Sequence, residues 1–190
     1  MASVVILIGP KHCGKSSIAF ALKKLLDCRA GDLDTIIEKR TGKSVRELFL
    51  ESPEVFRDEE ADKLSFVLQK ENENKKNTPL ILASGGGIIE NKRALKTINR
   101  HKNTILVYIE TSAETAWCRI KNTADKTGSF PPFIEKDNPQ TSHRELHERR
   151  AEMYKKIAHF TINAENKTPE TIAEEIIKKS GLKQFKYYDS

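Results

Sequence analysis

Eight residues near the start carry the clearest chemistry. Gly9-Pro10-Lys11-His12-Cys13-Gly14-Lys15-Ser16 fits G-x-x-x-x-G-K-[ST] throughout, between an apolar run and a helical pattern, the context that makes such a match credible. The glycines let the chain curl until successive backbone N–H groups point inward as an anion nest. The helix that follows adds its dipole. Lys15 supplies a mobile positive charge to β and γ phosphates, and the Ser16 hydroxyl can ligate Mg²⁺, whose other ligands are mostly water and phosphate oxygens. The pattern specifies a nucleoside triphosphate, held by Gly9, His12, Cys13, Gly14, Lys15, Ser16 and Ser17, and leaves the receiver of the phosphate open. His12 and Cys13 fill free positions and are expected to contribute backbone N–H groups. The second reading of Cys13 is a redox-sensitive thiol, because a helix N-terminus lowers thiol pKa.

Asp32-Leu33-Asp34 places two carboxylates two apart after a short apolar stretch. On extended backbone they cannot point the same way. One can reach Mg²⁺ while the other faces a bound substrate, where it would orient a hydroxyl or take its proton. Taken alone, such a pair reads as solvated acid, and Arg57 and Arg150 read as solvated helix faces.

The elements that must hold these groups alternate. Residues 4–8 (VVILI), 30–33, 80–83 (LILA), 104–109 (TILVYI) and 160–162 read as strands, continuous and β-branched as in a sheet buried on both faces. Helical spacing marks 15–26, 35–41, 44–50, a longer helix opening at Pro53, 91–99, 113–121, 142–158 and 168–179. The longer helix is expected to decay into the polar ENENKKN loop. Residues 122–141 show no period and carry Gly128, Pro131, Pro132 and Pro139, a length that in a compact domain is functional or mobile. The alternation predicts an α/β fold with a parallel sheet between two helical layers, its ligands beyond the carboxyl ends of the strands. Gly9–Ser16, Asp32–Asp34 and Gly85–Gly87 all fall there.

The 190 residues suit one domain, placed at 1–180 with a tail from Gly181. No apolar stretch approaches the ~20 residues of a membrane helix, and MASVVILIGP lacks a basic leader. Cys13, Cys28 and Cys118 show no paired spacing, against a disulfide scaffold or zinc site and for a reduced, cytoplasmic protein. With 33 basic and 27 acidic residues the net charge is +6, small for nucleic-acid binding and suited to a pocket for phosphates and carboxylates. Aromatic residues are few, at 7%, so no nucleic-acid or membrane partner is expected, and the chain is taken as a monomer.

In combination the motifs resemble a family. The phosphate loop, GDLD at 31–34, EKRTGKSVRELF at 38–49, FR at 56–57, SGGG at 84–87 and R-x-x-x-Y at 150–154 stand in the order found in shikimate kinases, over roughly residues 4 to 178. The resemblance implies a P-loop kinase fold with a five-stranded parallel sheet and a mobile lid near 122–141. It implies transfer of the γ-phosphoryl of Mg·ATP to a hydroxyl of shikimate. Asp34 is similar to the aspartate that holds the acceptor hydroxyls, and Asp32 to a magnesium residue beside Ser16. Arg57 and Arg150 resemble the arginines that grip the carboxylate, with Arg149 as the adjacent alternative to Arg150. Gly85, Gly86 and Gly87 resemble the glycine loop that approaches the substrate, and Arg119 an arginine near the adenine. Two other readings differ in kind: a kinase of another small hydroxy acid or polyol, and a nucleotide-binding module without turnover.

The resemblance breaks in the lid. Where the family carries an arginine in an R-P-L-L segment, this chain reads Ser129-Phe130-Pro131-Pro132-Phe133-Ile134, and no arginine lies between Arg119 and Arg144. An arginine acting on a transferring phosphoryl can be worth ~10³-fold or more. Lys121, Lys126 or Lys136 is a possible point-charge substitute, and Phe130 and Phe133 with two prolines a possible apolar flap. His143 and His147 are read as a solvated helix face, lacking the H-E-x-x-H order of a metal site, and Trp117 as packing.

Overall fold

The computed structural model describes residues 4–73, 78–134 and 137–182. Five strands, β1 (Val4–Ile8), β2 (Arg29–Asp32), β3 (Leu80–Ala83), β4 (Thr104–Glu110) and β5 (Phe160–Asn163), form one sheet in the order β2-β3-β1-β4-β5. Every pairing is parallel. Eight α-helices intervene among the described residues: α1 (Lys15–Leu26), α2 (Leu33–Thr41), α3 (Val45–Glu51), α4 (Pro53–Glu73), α5 (Lys92–Arg100), α6 (Ala113–Thr127), α7 (Pro139–Ile157) and α8 (Pro169–Ser180), with a 3-10 turn at Ile88–Glu90.

Strand alternation builds the two cores. Val4, Ile6 and Ile8 face α2, α4, α5 and Tyr154 of α7. Val5 and Leu7 face the other way, onto α1 and α8. All five β1 side chains are fully buried, at roughly 1.5–3 kcal/mol for each large aliphatic. The predicted α/β fold and five-stranded parallel sheet are present.

Three boundaries differ from the pattern by three or more residues. α4 runs through Glu73, into the stretch read as loop. α6 continues to Thr127, where Gly128 caps it in the left-handed conformation, and α7 begins at Pro139. Of the 122–141 stretch, the described residues outside helix are therefore 128–134 and 137–138. The added turn of α6 was silent because it buries a single side chain, Ala124, while Thr123 and Thr127 use their hydroxyls on the preceding turn. The ENENKKN stretch beyond Glu73, Lys136 and the tail beyond Leu182 lie outside the described residues.

β1 and β3 are neighbours although β2 intervenes in sequence, so the loops leaving them meet at the carboxyl edge. That is the crevice where doubly wound sheets bind ligands.

Candidate active site

The loop after β1 has the predicted curl. Gly9 (φ 147°), His12 (φ 62°) and Gly14 (φ 98°) take positive φ, and a Cβ on Gly9 would meet the Ile109 carbonyl oxygen at 2.6 Å. Lys15 is buried and folds back: its Nζ donates to the carbonyls of Gly9 at 2.9 Å and Pro10 at 2.7 Å and lies 3.6 Å from Cys13 Sγ. Cys13 is 2% exposed, which removes the access a redox-sensing thiol needs. Burial, then the charges of Lys11, Lys15 and Arg119, lowers the His12 pKa. Arg119 Nη1 donates to the His12 carbonyl at 2.9 Å, which sets it on the outer flank of the loop.

Asp32 and Asp34 diverge as expected, though by a helix start rather than by extended backbone. Asp32 ends β2 and caps α2, accepting from the Asp34 N–H at 3.0 Å through Oδ1. Its Oδ2 accepts from Ser16 Oγ. Asp34 turns inward toward Gly85 and Glu60. Burial first, then the charges of Asp32 and Glu60, pushes its pKa up to about 6 against the opposing pull of Lys15 and Lys11. Asp34 Oδ1 and Glu60 Oε1 are buried with no hydrogen-bond partner among the described residues, a pair of acceptors awaiting donors.

The glycines after β3 serve three different neighbours. A Cβ on Gly85 would stand 2.9 Å from Asp34 Oδ1 and 3.1 Å from Glu60 Oε1. One on Gly86 would stand 3.0 Å from the Lys11 backbone nitrogen, and one on Gly87 only 2.1 Å from Arg57 Nη2. The Tyr154 hydroxyl donates to the Gly86 carbonyl, tying α7 to this loop.

Arg57 and Arg150 converge. Arg57 Nη1 donates to Glu60 Oε2 at 2.9 Å, and Arg150 Nη2 to Glu90 Oε2 at 2.6 Å. Arg57 Nη2 lies 3.9 Å from that same Glu90 oxygen. Arg149 also reaches Glu90, at 2.6 Å, but its side chain is 64% exposed against 9% for Arg150. Arg57 and Arg150 line the cavity and Arg149 does not. Glu60 and Glu90 were not singled out from the sequence. Glu60, three residues after Arg57 on one helix, carried a readable pairing signal, whereas Glu90 carried none.

Lys15, Ser16, Asp34, Arg57, Gly86 and Arg150 open onto one cavity of about 660 Å³. Its roof comes from the connection after α6, where Pro131, Pro132 and Phe133 line it. Phe133 lies under the Arg150 guanidinium at 5.6 Å, and Phe130 stacks on Trp117 at 5.4 Å. Pro131, Pro132 and Phe133 thus present an apolar surface to the cavity, while Phe130 packs on Trp117 instead. Lys121 and Lys126 are exposed and do not line the cavity, so neither stands in for a lid arginine. His143 and His147 are not solvated: they are 4% and 9% exposed, and His143 packs on Trp117. Burial holds both imidazoles neutral, His143 down to about 4. No group of three or more His, Cys, Asp or Glu side chains among the described residues could hold a metal. The oxygen pair Ser16–Asp32 beside Lys15 has the hard-donor chemistry and low ligand number that suit Mg²⁺ completed by phosphate and water.

A parallel sheet with this loop on β1 and an arginine-bearing wall opposite is the architecture of the P-loop kinases of small molecules. A family model, "Shikimate kinase", matches residues 11–180. The chain is 35% identical over 179 residues to a shikimate kinase of Lactococcus lactis, covering 94% of this chain and 98% of that one. It is 32% identical over 178 residues to one of Thermodesulfovibrio yellowstonii, 92% of each. The structure of a shikimate kinase from Acinetobacter baumannii in complex with shikimate superposes with a TM-score of 0.80 at 25% identity, over 95% of this chain and 93% of the other. The chain belongs to the shikimate kinase family. No described helix is long and apolar enough to cross a membrane.

Proposed function

We propose that the protein transfers the γ-phosphoryl group of ATP to a ring hydroxyl of shikimate, giving shikimate 3-phosphate and ADP. The observation that carries this is the convergence of Lys15, Asp34, Arg57 and Arg150 on one cavity. The backbone N–H groups of the Gly9–Ser17 loop, Pro10 excepted, and the Lys15 ammonium hold the triphosphate. Lys15 exchanges its bonds to the Gly9 and Pro10 carbonyls for phosphate oxygens on binding. Ser16 and Asp32 are the residues that would hold Mg²⁺, which when bound neutralises charge on the β and γ phosphates. Arg119, bonded to the His12 carbonyl, is assigned to the base end of the nucleotide.

Arg57 and Arg150 take the shikimate carboxylate, planar forks being suited to it. That fixes the ring so a hydroxyl meets Asp34. The hydroxyl oxygen bonds to the γ phosphorus as the bridging β–γ oxygen leaves on ADP, and the hydroxyl proton passes to Asp34. A carboxyl raised toward neutrality makes a better proton acceptor than an ordinary aspartate and is still ionised at pH 7. The glycine loop lets the acceptor approach, and the flap residues Ser129, Pro131, Pro132 and Phe133 exclude water from the transferring group. The rest of the work is positioning and charge stabilisation.

The test is coupled ADP release with shikimate against a panel of small hydroxy acids and polyols. Shikimate-dependent turnover well above the panel supports the assignment. Preference for another acceptor transfers the same chemistry to that acceptor, and nucleotide binding without turnover on any acceptor ends the kinase reading.

A further inference from the structure

Two cations of the cavity have no part in the mechanism above. Lys11 occupies a free position of the phosphate loop, at the seam where Gly86 approaches its backbone nitrogen. Its side chain lines the cavity and makes no hydrogen bond or ion pair among the described residues. Its environment places it between the two halves of the site. Burial lowers its pKa, Asp34 and Glu38 oppose that, and Lys15 and Arg46 add to it. The charges of both Asp34 and Lys15 thus act on Lys11.

Arg46 comes from the opposite wall. It stands in the first turn of α3, lines the cavity, and donates through Nη1 to the Phe130 carbonyl at 2.8 Å. This bond joins α3 to the flap across 84 residues of chain. A guanidinium has five donors in a rigid fork, so one bond to the flap leaves the others for a ligand.

Three like charges facing one cavity repel one another unless an anion joins them. Lys15 is already satisfied by the loop carbonyls, whereas Lys11 and Arg46 have no carboxylate bonded to them among the described residues. The flap residues that line the cavity, from Thr127 to Phe133, bring hydroxyl, proline and phenyl side chains and no charge. We propose that Lys11 and Arg46 contact the γ-phosphoryl group at the junction between nucleotide and acceptor and supply the positive charge that these lining residues of the flap do not. Arg46 does so while holding the flap backbone, so flap closure and charge placement are one event. This inference rests on the kinase reading of the cavity.

The experiment measures equilibrium affinities of ADP and of a non-hydrolysable ATP analogue for the full chain, for Lys11→Met, Arg46→Met and Arg46→Lys. Contacts to the γ-phosphoryl predict that each Met variant loses about tenfold or more in analogue affinity, with ADP affinity within about twofold. Arg46→Lys should recover part of that loss. Under saturating substrates kcat should fall with the analogue affinity. Preserved ADP affinity also reports that the fold is intact. An analogue-to-ADP ratio equal to the parent's in both Met variants overturns the proposal. So does an Arg46→Lys variant no better than Arg46→Met, which would make Arg46 a flap anchor only. If the parent chain shows no shikimate-dependent turnover, the acceptor assignment fails while the affinity ratio still decides this inference.

Discussion

Gly87→Ala should damage acceptor recognition while leaving the fold and the nucleotide site intact. Gly87 has φ −96° and ψ 2°, open to alanine, so the backbone need not move. Loss of glycine's extra freedom in the unfolded chain favours the variant by ~0.4–1 kcal/mol. The new Cβ would stand 2.1 Å from Arg57 Nη2 and 2.8 Å from both Cζ and Nη1. Ordinary contact begins near 3.4 Å, so the guanidinium must retreat by more than 1 Å. A side-chain tip can do this cheaply, but only by leaving the 2.9 Å bond to Glu60 that orients it. A charge-assisted hydrogen bond is worth ~1.5–3 kcal/mol. Removing it from the bound carboxylate should raise the shikimate KM by about 10- to 150-fold. ADP release, titrated in shikimate at saturating ATP and then in ATP at saturating shikimate, separates the two sites. The ATP KM should stay within about twofold, and Arg57→Ala should mask the glycine effect, because both remove one contact. Equal rises in both KM values, or an undiminished glycine effect in the Arg57→Ala background, would refute the assignment of Arg57.

Asp34→Asn should cut kcat by about 10²- to 10⁴-fold with little change in nucleotide affinity, and unchanged turnover would remove Asp34 from the proton path. In the parent protein kcat/KM for shikimate should fall on acidification with a midpoint of about 6, because only the ionised carboxylate accepts the proton. The same shift carries a stability cost: with the folded pKa raised, the penalty is absent below the ordinary aspartate range, grows up to about pH 6 and persists above it. Asp34→Asn should therefore raise Tm at pH 7, a gain on the order of 2 kcal/mol, and thermal unfolding at pH 4 and pH 7 checks the sign. Ser16→Ala and Asp32→Asn should each raise the Mg²⁺ concentration for half-maximal rate, read from a metal titration at fixed ATP. Glu90→Ala strands the buried Arg150 and should lower stability by roughly 1–3 kcal/mol, whereas Arg149→Ala, removing an exposed partner, should stay within ~0.5 kcal/mol, as denaturant midpoints would record.

The phosphate loop was legible because its work is done by backbone, and the octet marks where that backbone must curl. The divergence of Asp32 and Asp34 was legible too, yet its cause was not. Leu33 opens α2, and Asp32 is spent partly on capping it. What stayed hidden depended on what lies across the chain. Glu60 reads as one more charge on an acidic helix, but it is fully buried because the glycine loop closes over it. His143 and His147 read as surface, but Trp117 packs on His143 and His143 on His147. A flap of hydroxyl, proline and phenyl side chains carries no period to read, and the cations opposite it, Lys11 and Arg46, occupy positions that the local pattern leaves free.

The charges of the cavity explain why its walls hold acids at all. Five cations line it, Lys11, Lys15, Arg46, Arg57 and Arg150, against the three carboxylates of Asp32, Asp34 and Glu60. Without the acids, the guanidinium groups would repel and splay, and each would have to be ordered by the ligand at the ligand's expense. Glu60 holds Arg57 from within the fold, and Glu90 draws Arg150 and Arg57 toward one oxygen from behind the wall. The forks are thus oriented before any carboxylate arrives, and less conformational freedom remains to be lost on binding. The excess of two positive charges is what the substrates answer, since Mg·ATP carries about two negative charges and a hydroxy acid one more. A cavity with fewer acids would bind anions more tightly but less selectively. This one keeps its excess near the demand of its ligands, and the raised pKa of Asp34 is the cost of placing a base among them.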